Sequence, residues 1–253
     1  MLSNSNFSFL KAIASATLVL STLYAGSASA DLDNPVMGSG FANVFAGTSA
    51  DCGGGYCFGS GWGVGDLKAT VNGNEVILQP NFNTYNDAAT PGDIAYWRNG
   101  ALGNKVFQAN LYEEIGTTPI GTGTYTFSGY VDSDSLDAGY SKVAFIKVLD
   151  SLGGFADVLG ATTALSVGAF SVSGDLTPYE GDARYILQVG FTVQGLNANP
   201  ADEAALGSVG LRIGASSAAS SAAVDPTGIP VLPLWALFGL AGLIGLMGLR
   251  RKA

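Results

Sequence analysis

The sequence predicts an all-β domain over residues 31–213, a two-sheet antiparallel β-sandwich wound as a jelly roll. Three observations predict it. Short segments of apolar and polar residues in strict alternation recur along the middle of the chain. Between them lie turns built from glycine, asparagine and aspartate, drawing on 36 glycines in 253 residues. Between the two ends no segment sustains a helical period. Some eight to ten short strands over about 180 residues fit two packed sheets.

In chain order, residues 67–71 and 75–78 flank Asn72-Gly73-Asn74, a hairpin signal because Asn and Gly tolerate positive φ. Residues 105–112 form the next strand. In residues 124–131 Tyr125, Phe127 and Val131 share a face, and Gly129 marks a bulge or a close backbone approach. Residues 143–149 (VAFIKVL) are apolar on nearly both faces, as a central strand requires, and residues 170–174 add another. The clearest strand is 185–194. Tyr185, Leu187, Val189, Phe191 and Val193 point one way, and Ile186, Gln188, Gly190, Thr192 and Gln194 the other. Residues 201–206 allow one helical turn, and 208–213 close the domain with Val209, Leu211 and Ile213 inward.

Charge narrows the function classes. All 20 acidic residues lie between Asp31 and Asp225, with only seven basic residues among them, a net charge of −13 for this region. Such a surface repels phosphate backbones and argues against nucleic acid as a partner. There is no histidine, which removes the commonest general base and any Ser-His-Asp triad. Glu113-Glu114 is the only adjacent glutamate pair, and neighbours on a strand face opposite ways, so they cannot share one glycosidic bond. No nucleophile elbow, P-loop or dinucleotide fingerprint occurs.

The two ends read as addresses. Residues 1–30 read as a signal peptide: Lys11 is the positive region, residues 12–25 are an apolar run broken only by small hydroxyl residues, and the small side chains of Ala28 and Ala30 set cleavage by signal peptidase before Asp31. Residues 214–228, rich in Ala and Ser, read as a flexible linker. Residues 229–249 (IPVLPLWALFGLAGLIGLMGL) carry no charge. As a helix at about 1.5 Å per residue they reach about 31 Å, the thickness of the hydrocarbon layer. Arg250, Arg251 and Lys252 follow at once, placing the C-terminus in the cytoplasm and the domain outside.

The segment 229–253 resembles the exosortase-type PEP-CTERM group of bacterial C-terminal sorting signals. The resemblance covers about the last 25 residues: a proline motif (Ile229, Pro230, Pro233), a hydrophobic helix and the basic cluster Arg250, Arg251, Lys252. The glutamate of the standard motif is absent, and the opening Pro-x-Leu-Pro-Leu-Trp is that of variants. The resemblance implies a C-terminal sorting protease as partner. The domain then passes from inner membrane and periplasm to the cell surface or extracellular matrix. The alternative is a permanent inner-membrane anchor. The region 62–213 is similar to β-sandwich domains of sorting-tail surface proteins and, more loosely, to jelly-roll carbohydrate-binding modules.

Three groups of residues are candidate sites. Cys52 and Cys57 bracket Gly-Gly-Gly-Tyr, and an even pair in an exported chain reads as a disulfide. Asp132, Asp134 and Asp137 are three hard oxygen ligands within six residues, a calcium candidate, although Leu136 and Val143 stand where an EF-hand loop needs ligands. Apart from calcium no cofactor is indicated. Trp62, Tyr85, Tyr96 and Trp97 are flat rings near Asn83, Asn86 and Arg98, a sugar-stacking platform if exposed and core if not. The expected function is a non-catalytic surface or matrix protein acting in adhesion or in envelope or biofilm structure. A carbohydrate-binding module for polysaccharide capture is the alternative, and a glycan-acting hydrolase the third.

Overall fold

The computed structural model of the chain describes residues 35–48, 51–88, 94–115 and 123–214. Ala28 and Ala30 of the leader, nearly all of the linker and the whole tail, including Ile229, Pro230, Pro233 and Arg250 to Lys252, lie outside the described residues. Among the described residues no helix is long and apolar enough to cross a membrane.

The domain opens with two strands that the alternation does not reveal, β1 (Ser39–Ala46) and β2 (Tyr56–Gly61), and the expected hairpin follows as β3 (Ala69–Asn72) and β4 (Glu75–Leu78). The one-turn helix α1 (Ile94–Trp97) and the two-residue strands β5 (Arg98–Asn99) and β6 (Leu102–Gly103) follow. The long strands are β7 (Lys105–Ile115), β8 (Thr124–Asp134), β9 (Ser141–Asp150), β10 (Ala156–Ala164), β11 (Gly168–Asp175) and β12 (Tyr185–Leu196). Helix α2 (Glu203–Leu206) and β13 (Val209–Ile213) end the domain, so the helical turn expected at 201–206 is present.

Two antiparallel sheets face each other. One has six strands in the order β10-β9-β12-β7-β1-β2, the other five in the order β11-β8-β13-β4-β3, and β5 pairs only with β6. From β7 onward each strand crosses to the opposite sheet, except at the β9–β10 hairpin. The inward side chains of 185–194 are the ones the alternation assigned. Phe191 meets Phe127 of β8 and Phe170 of β11 with ring centroids 5.2 and 5.7 Å apart, joining the two sheets. A second cluster, Ala42, Val44, Leu67, Trp97, Phe107 and Ala109, fills the space under β1 and β7.

One expected strand is shortened, and the close approach expected at Gly129 is present. The strand expected at 67–71 begins only at Ala69, because the amides of Asp66, Leu67, Lys68 and Ala69 bond carbonyls of Gly63, Gly65 and Val64 in a turn. Leu67 is drawn into the second cluster, and Lys68 takes φ +60°. At Gly129 the backbones approach closely. A Cβ there would lie 2.3 Å from the Arg212 carbonyl oxygen and 2.6 Å from the Phe170 ring. Gly129→Ala is therefore expected to destabilise the fold by about 1–3 kcal/mol, read from urea unfolding, and an unchanged midpoint would refute the packing described.

The β9–β10 turn, residues 151–155, is closed by a single carboxylate. Asp150 accepts from the Leu152 and Gly153 amides at 3.1 and 3.0 Å and from two nitrogens of Arg184. The Arg184 hydrogen bond holds the Asp150 carboxyl below its ordinary value, against the desolvation that would raise it, with the Gly153 and Leu152 amides assisting. A depressed native value stabilises the fold above the ordinary carboxylate range, and that contribution is lost as pH falls through the depressed value. Protection of the Leu152 and Gly153 amides from hydrogen exchange should therefore persist through the ordinary range and drop only below it. Asp150→Asn should lower that protection already at neutral pH.

Candidate functional site

The structure does not assemble the aromatic platform. Trp97 is 2% and Tyr85 3% exposed, so neither offers a face to a sugar. Trp97 packs on Phe107 at 5.7 Å and against the edge of Tyr96 at 4.9 Å. Half-buried Tyr96 carries the Lys105 ammonium 4.0 Å from its ring centre, and Trp62 meets Phe107 edge-on at 5.5 Å. These rings build the second core.

Nor are the three aspartates brought together. Asp132 forms a two-pronged pair with Arg212 (Nε–Oδ2 2.8 Å, Nη2–Oδ1 2.9 Å). Asp134 meets Lys142 Nζ at 2.9 Å, and Asp137 accepts from the Gly139 amide at 2.8 Å. Each carboxylate is turned to its own local donor. Among the described residues no group of three His, Cys, Asp or Glu side chains could hold a metal ion. Cys52 and Cys57 do form a disulfide, with Cα atoms 5.1 Å apart, at the turn entering β2. Glu113 accepts from the Val36 amide at 2.7 Å, while Glu114 accepts from Gln188 at 2.9 Å.

The interior voids lined by described residues are small. The void beside Leu67, Leu78 and Leu111 measures about 10 Å³, too little to seat even one water comfortably. Among the described residues the outer face of the six-stranded sheet has the most specific chemistry. Side chains alternate along β1, β7 and β12, and the register sets the outward ones side by side. Asn43 lies opposite Gln108, Gln108 opposite Gln194, and Asn110 opposite Thr192. Neighbouring strands are about 4.8 Å apart, so the side chains link laterally. Asn43 Nδ2 donates to Gln108 Oε1 at 2.8 Å, and Gln108 Nε2 donates to Gln194 Oε1 at 3.2 Å. One row along, Thr192 Oγ1 donates to Asn110 Oδ1 at 2.8 Å. Beyond the row of Tyr112 and Gly190, Gln188 donates to Glu114.

Aromatic rings flank this ladder. Phe41 stands opposite Asn110 on β1, and Tyr112 lies between the Asn110 and Glu114 positions of β7. Gly190 makes room for Tyr112: a Cβ there would come 2.8 Å from the Tyr112 Cβ and 2.1 Å from the Leu111 carbonyl oxygen. Burial, followed by the Glu114 charge, raises the Tyr112 hydroxyl above its ordinary value, against the opposing hydrogen bond of Gln188. It therefore stays protonated and able to donate. These four rows thus carry amides, a hydroxyl, two half-buried rings and one carboxylate, with Asn110 and Thr192 themselves buried, in a domain whose net charge is strongly negative.

The outer face of the five-stranded sheet is different. It holds an open groove of about 280 Å³ lined by Glu75, Ile77, Asp132, Gly210 and Arg212, in which the guanidinium and the Asp132 carboxylate are turned on each other.

Sequence reasoning missed Asn43, Gln108, Asn110 and Tyr112 as a site. The signal was present at the outward positions of two expected strands, where amides and hydroxyls replace the usual Lys and Glu. The fold and this face define a non-enclosed, antiparallel β-sandwich with an amide-lined sheet surface. No protein-family model matches the chain, and no curated protein matches it. Two solved structures align with it. One, described as "CBM4 structure and function", is 15% identical over 67% of this chain and 83% of its own, with a TM-score of 0.28. The other concerns "the promiscuous specificity of the carbohydrate-binding modules from the beta-sandwich super family". It is 13% identical over 72% of this chain and 85% of its own, with a TM-score of 0.30. Likenesses this distant carry no argument about function.

Proposed function

We propose that the domain binds polysaccharide across the outer face of its six-stranded sheet, as the non-catalytic, adhesive part of an exported surface or matrix protein. The observation that carries this reading is the half-buried Asn43–Gln108–Gln194 ladder. Beneath it Asn110 and Thr192 are buried and bonded to each other and to the backbone, so they hold the ladder in place and do not meet a sugar. The ladder amides keep donor and acceptor capacity that their lateral bonds do not use, the pattern that vicinal sugar hydroxyls answer. Half-buried Phe41 and Tyr112 supply apolar surface for the sugar faces.

Other features support the reading of address. The Cys52–Cys57 bond suits an oxidising compartment. Residues 1–30 serve as leader, 31–213 as the sandwich, 214–228 as linker and 229–253 as the sorting tail that holds the chain at the inner membrane until a sorting protease acts. The strand order supports a jelly-roll winding of β4 and β7 to β13, with β1 to β3 extending both sheets.

Affinity electrophoresis of residues 31–215 through gels of different matrix polysaccharides tests the binding. At least one polysaccharide should retard the domain, and Gln108→Ala should abolish most of the retardation. Migration unretarded across a broad panel would remove the polysaccharide reading and leave a structural one.

A further inference from the structure

Where the chain leaves the domain decides which end of the sandwich faces any membrane that residues 229–249 cross. Strand β13 runs antiparallel to β8, and beyond its last residue Gly214 N donates to Ser128 O, so the chain heads toward the start of β8. The first residue of β8, Thr124, pairs with Asp175, the last of β11. From there the turn Thr177–Tyr179 leads to Tyr185, which is registered with Asp150 at the end of β9. Tyr179 bridges this end: its hydroxyl donates to Val158 O of β10 at 2.8 Å and its ring meets Tyr185 at 5.0 Å. The exit of the chain and the β9–β10 turn therefore occupy the same end of the sandwich.

That turn presents apolar side chains to the outside. Leu152 is 81% and Phe155 61% exposed. Asp150, held by Arg184, fixes the turn, the Phe155 amide donates to Asp150 O at 2.9 Å, and Ser151 bonds Arg184 O through both its amide and its hydroxyl. Phe155 sits at φ +61°, a conformation a bulky side chain rarely adopts. A strained, well-tied turn that holds two large apolar groups in water is a pre-organised contact rather than a loose loop.

We propose that this end of the sandwich rests on a zwitterionic phospholipid surface, with Leu152 and Phe155 seated at the boundary between headgroups and acyl chains. The proposal rests on the reading of residues 229–249 as a membrane span. Only 14 residues, 215–228, separate the described domain from that span. A chain of that length has an end-to-end distance of roughly 20 Å. The turn is thus kept at high local concentration beside the bilayer, where two side chains suffice although they would not hold a free domain. Exposed Asp157, next to the turn in β10, and exposed Glu180 and Asp182, in the connection leading to Tyr185, put negative charge at this end and make anionic headgroups a poorer surface than neutral ones. The outer face of the six-stranded sheet runs along the side of the sandwich, so seating this end leaves it open to a glycan.

Nitroxide labels on the full chain in phosphatidylcholine vesicles test the seating, one at Ala156→Cys beside the turn and one at Ser166→Cys in the β10–β11 connection at the opposite end. Oxidising conditions preserve the Cys52–Cys57 bond. The label at 156 should be several-fold more accessible to oxygen than to a polar nickel chelate, and the label at 166 should show the reverse. Leu152→Ser combined with Phe155→Asn, the latter tolerant of positive φ, should return the label at 156 to a water-like ratio while the chain still floats with the vesicles. Adding phosphatidylglycerol should weaken the lipid signature. A water-like ratio at 156 in wild-type vesicles would overturn the proposal, as would immobilisation of that label equally without vesicles, which marks contact with a second copy. A chain that fails to float overturns the span and this proposal together, whereas retardation by polysaccharide is read independently of both.

Discussion

Trp97→Ala is expected to lower the stability of the domain by about 3–5 kcal/mol while leaving the folded fraction able to bind polysaccharide. The indole is almost wholly enclosed, packed on Phe107, edge-on to Tyr96 and Phe58, and grouped with Ala42, Val44 and Leu67. Truncation removes the largest side chain of the second core and leaves a cavity under β1 and β7 that the sheet above cannot collapse to fill. The backbone carbonyl of Trp97 also accepts from Asn197 at 2.8 Å, so the segment that carries it is tied to the end of β12. The measurement is a urea titration in parallel with affinity electrophoresis well below the midpoint. Loss of retardation with unchanged stability would place the indole in the binding site and refute its assignment to the core.

The second large effect has the opposite signature. Gln108→Ala with Gln194→Ala should weaken polysaccharide binding by at least about tenfold and change stability by less than about 1 kcal/mol. Both side chains are half-buried on the outer face, and their removal opens no cavity, because water reaches Asn43 in their place. What disappears is the middle of the ladder, two amides whose planar donor and acceptor pairs address adjacent hydroxyls. Isothermal titration with an oligosaccharide of the retarding polymer reads the affinity, and thermal unfolding reads the stability. Equal affinity in the double variant would show that the sugar, if bound, lies elsewhere.

These two predictions reverse what the sequence suggests about its aromatic residues. In one dimension Tyr85, Tyr96 and Trp97 sit among asparagines and look like a platform. Their burial follows from β5 and β6 pairing with each other and folding α1 under the main sheet, a tertiary event with no local signature. The aspartates of 132–137 are a similar case. Adjacent in sequence, they are dispersed by an irregularity in the β8–β13 register, where Gly210 lies opposite Ser133 but Leu211 opposite Val131. Asp132 is thereby given to Arg212, while Asp134 goes to Lys142. The edge strand β10 was illegible for another reason: its inward positions Leu159, Ala161 and Thr163 are only half-buried and mostly small or polar, so its alternation of burial leaves little hydrophobic signal.

The sequence alone was enough for eight of the strands, β3, β4, β7 to β9 and β11 to β13, for the inward faces of β8, β12 and β13, for the hairpin at Gly73-Asn74 and for the disulfide. Each of these depends on a period of two, a turn residue or a spacing of a few positions, all of them local. Only the tertiary structure decided which strands are neighbours, and with that the ladder from Asn43 through Gln108 to Gln194. Residues 65 and 86 positions apart have no common signal along the chain. They acquire one when the hydrophobic faces of β1, β7 and β12 seek the same core and so fix a register that leaves their amides abreast.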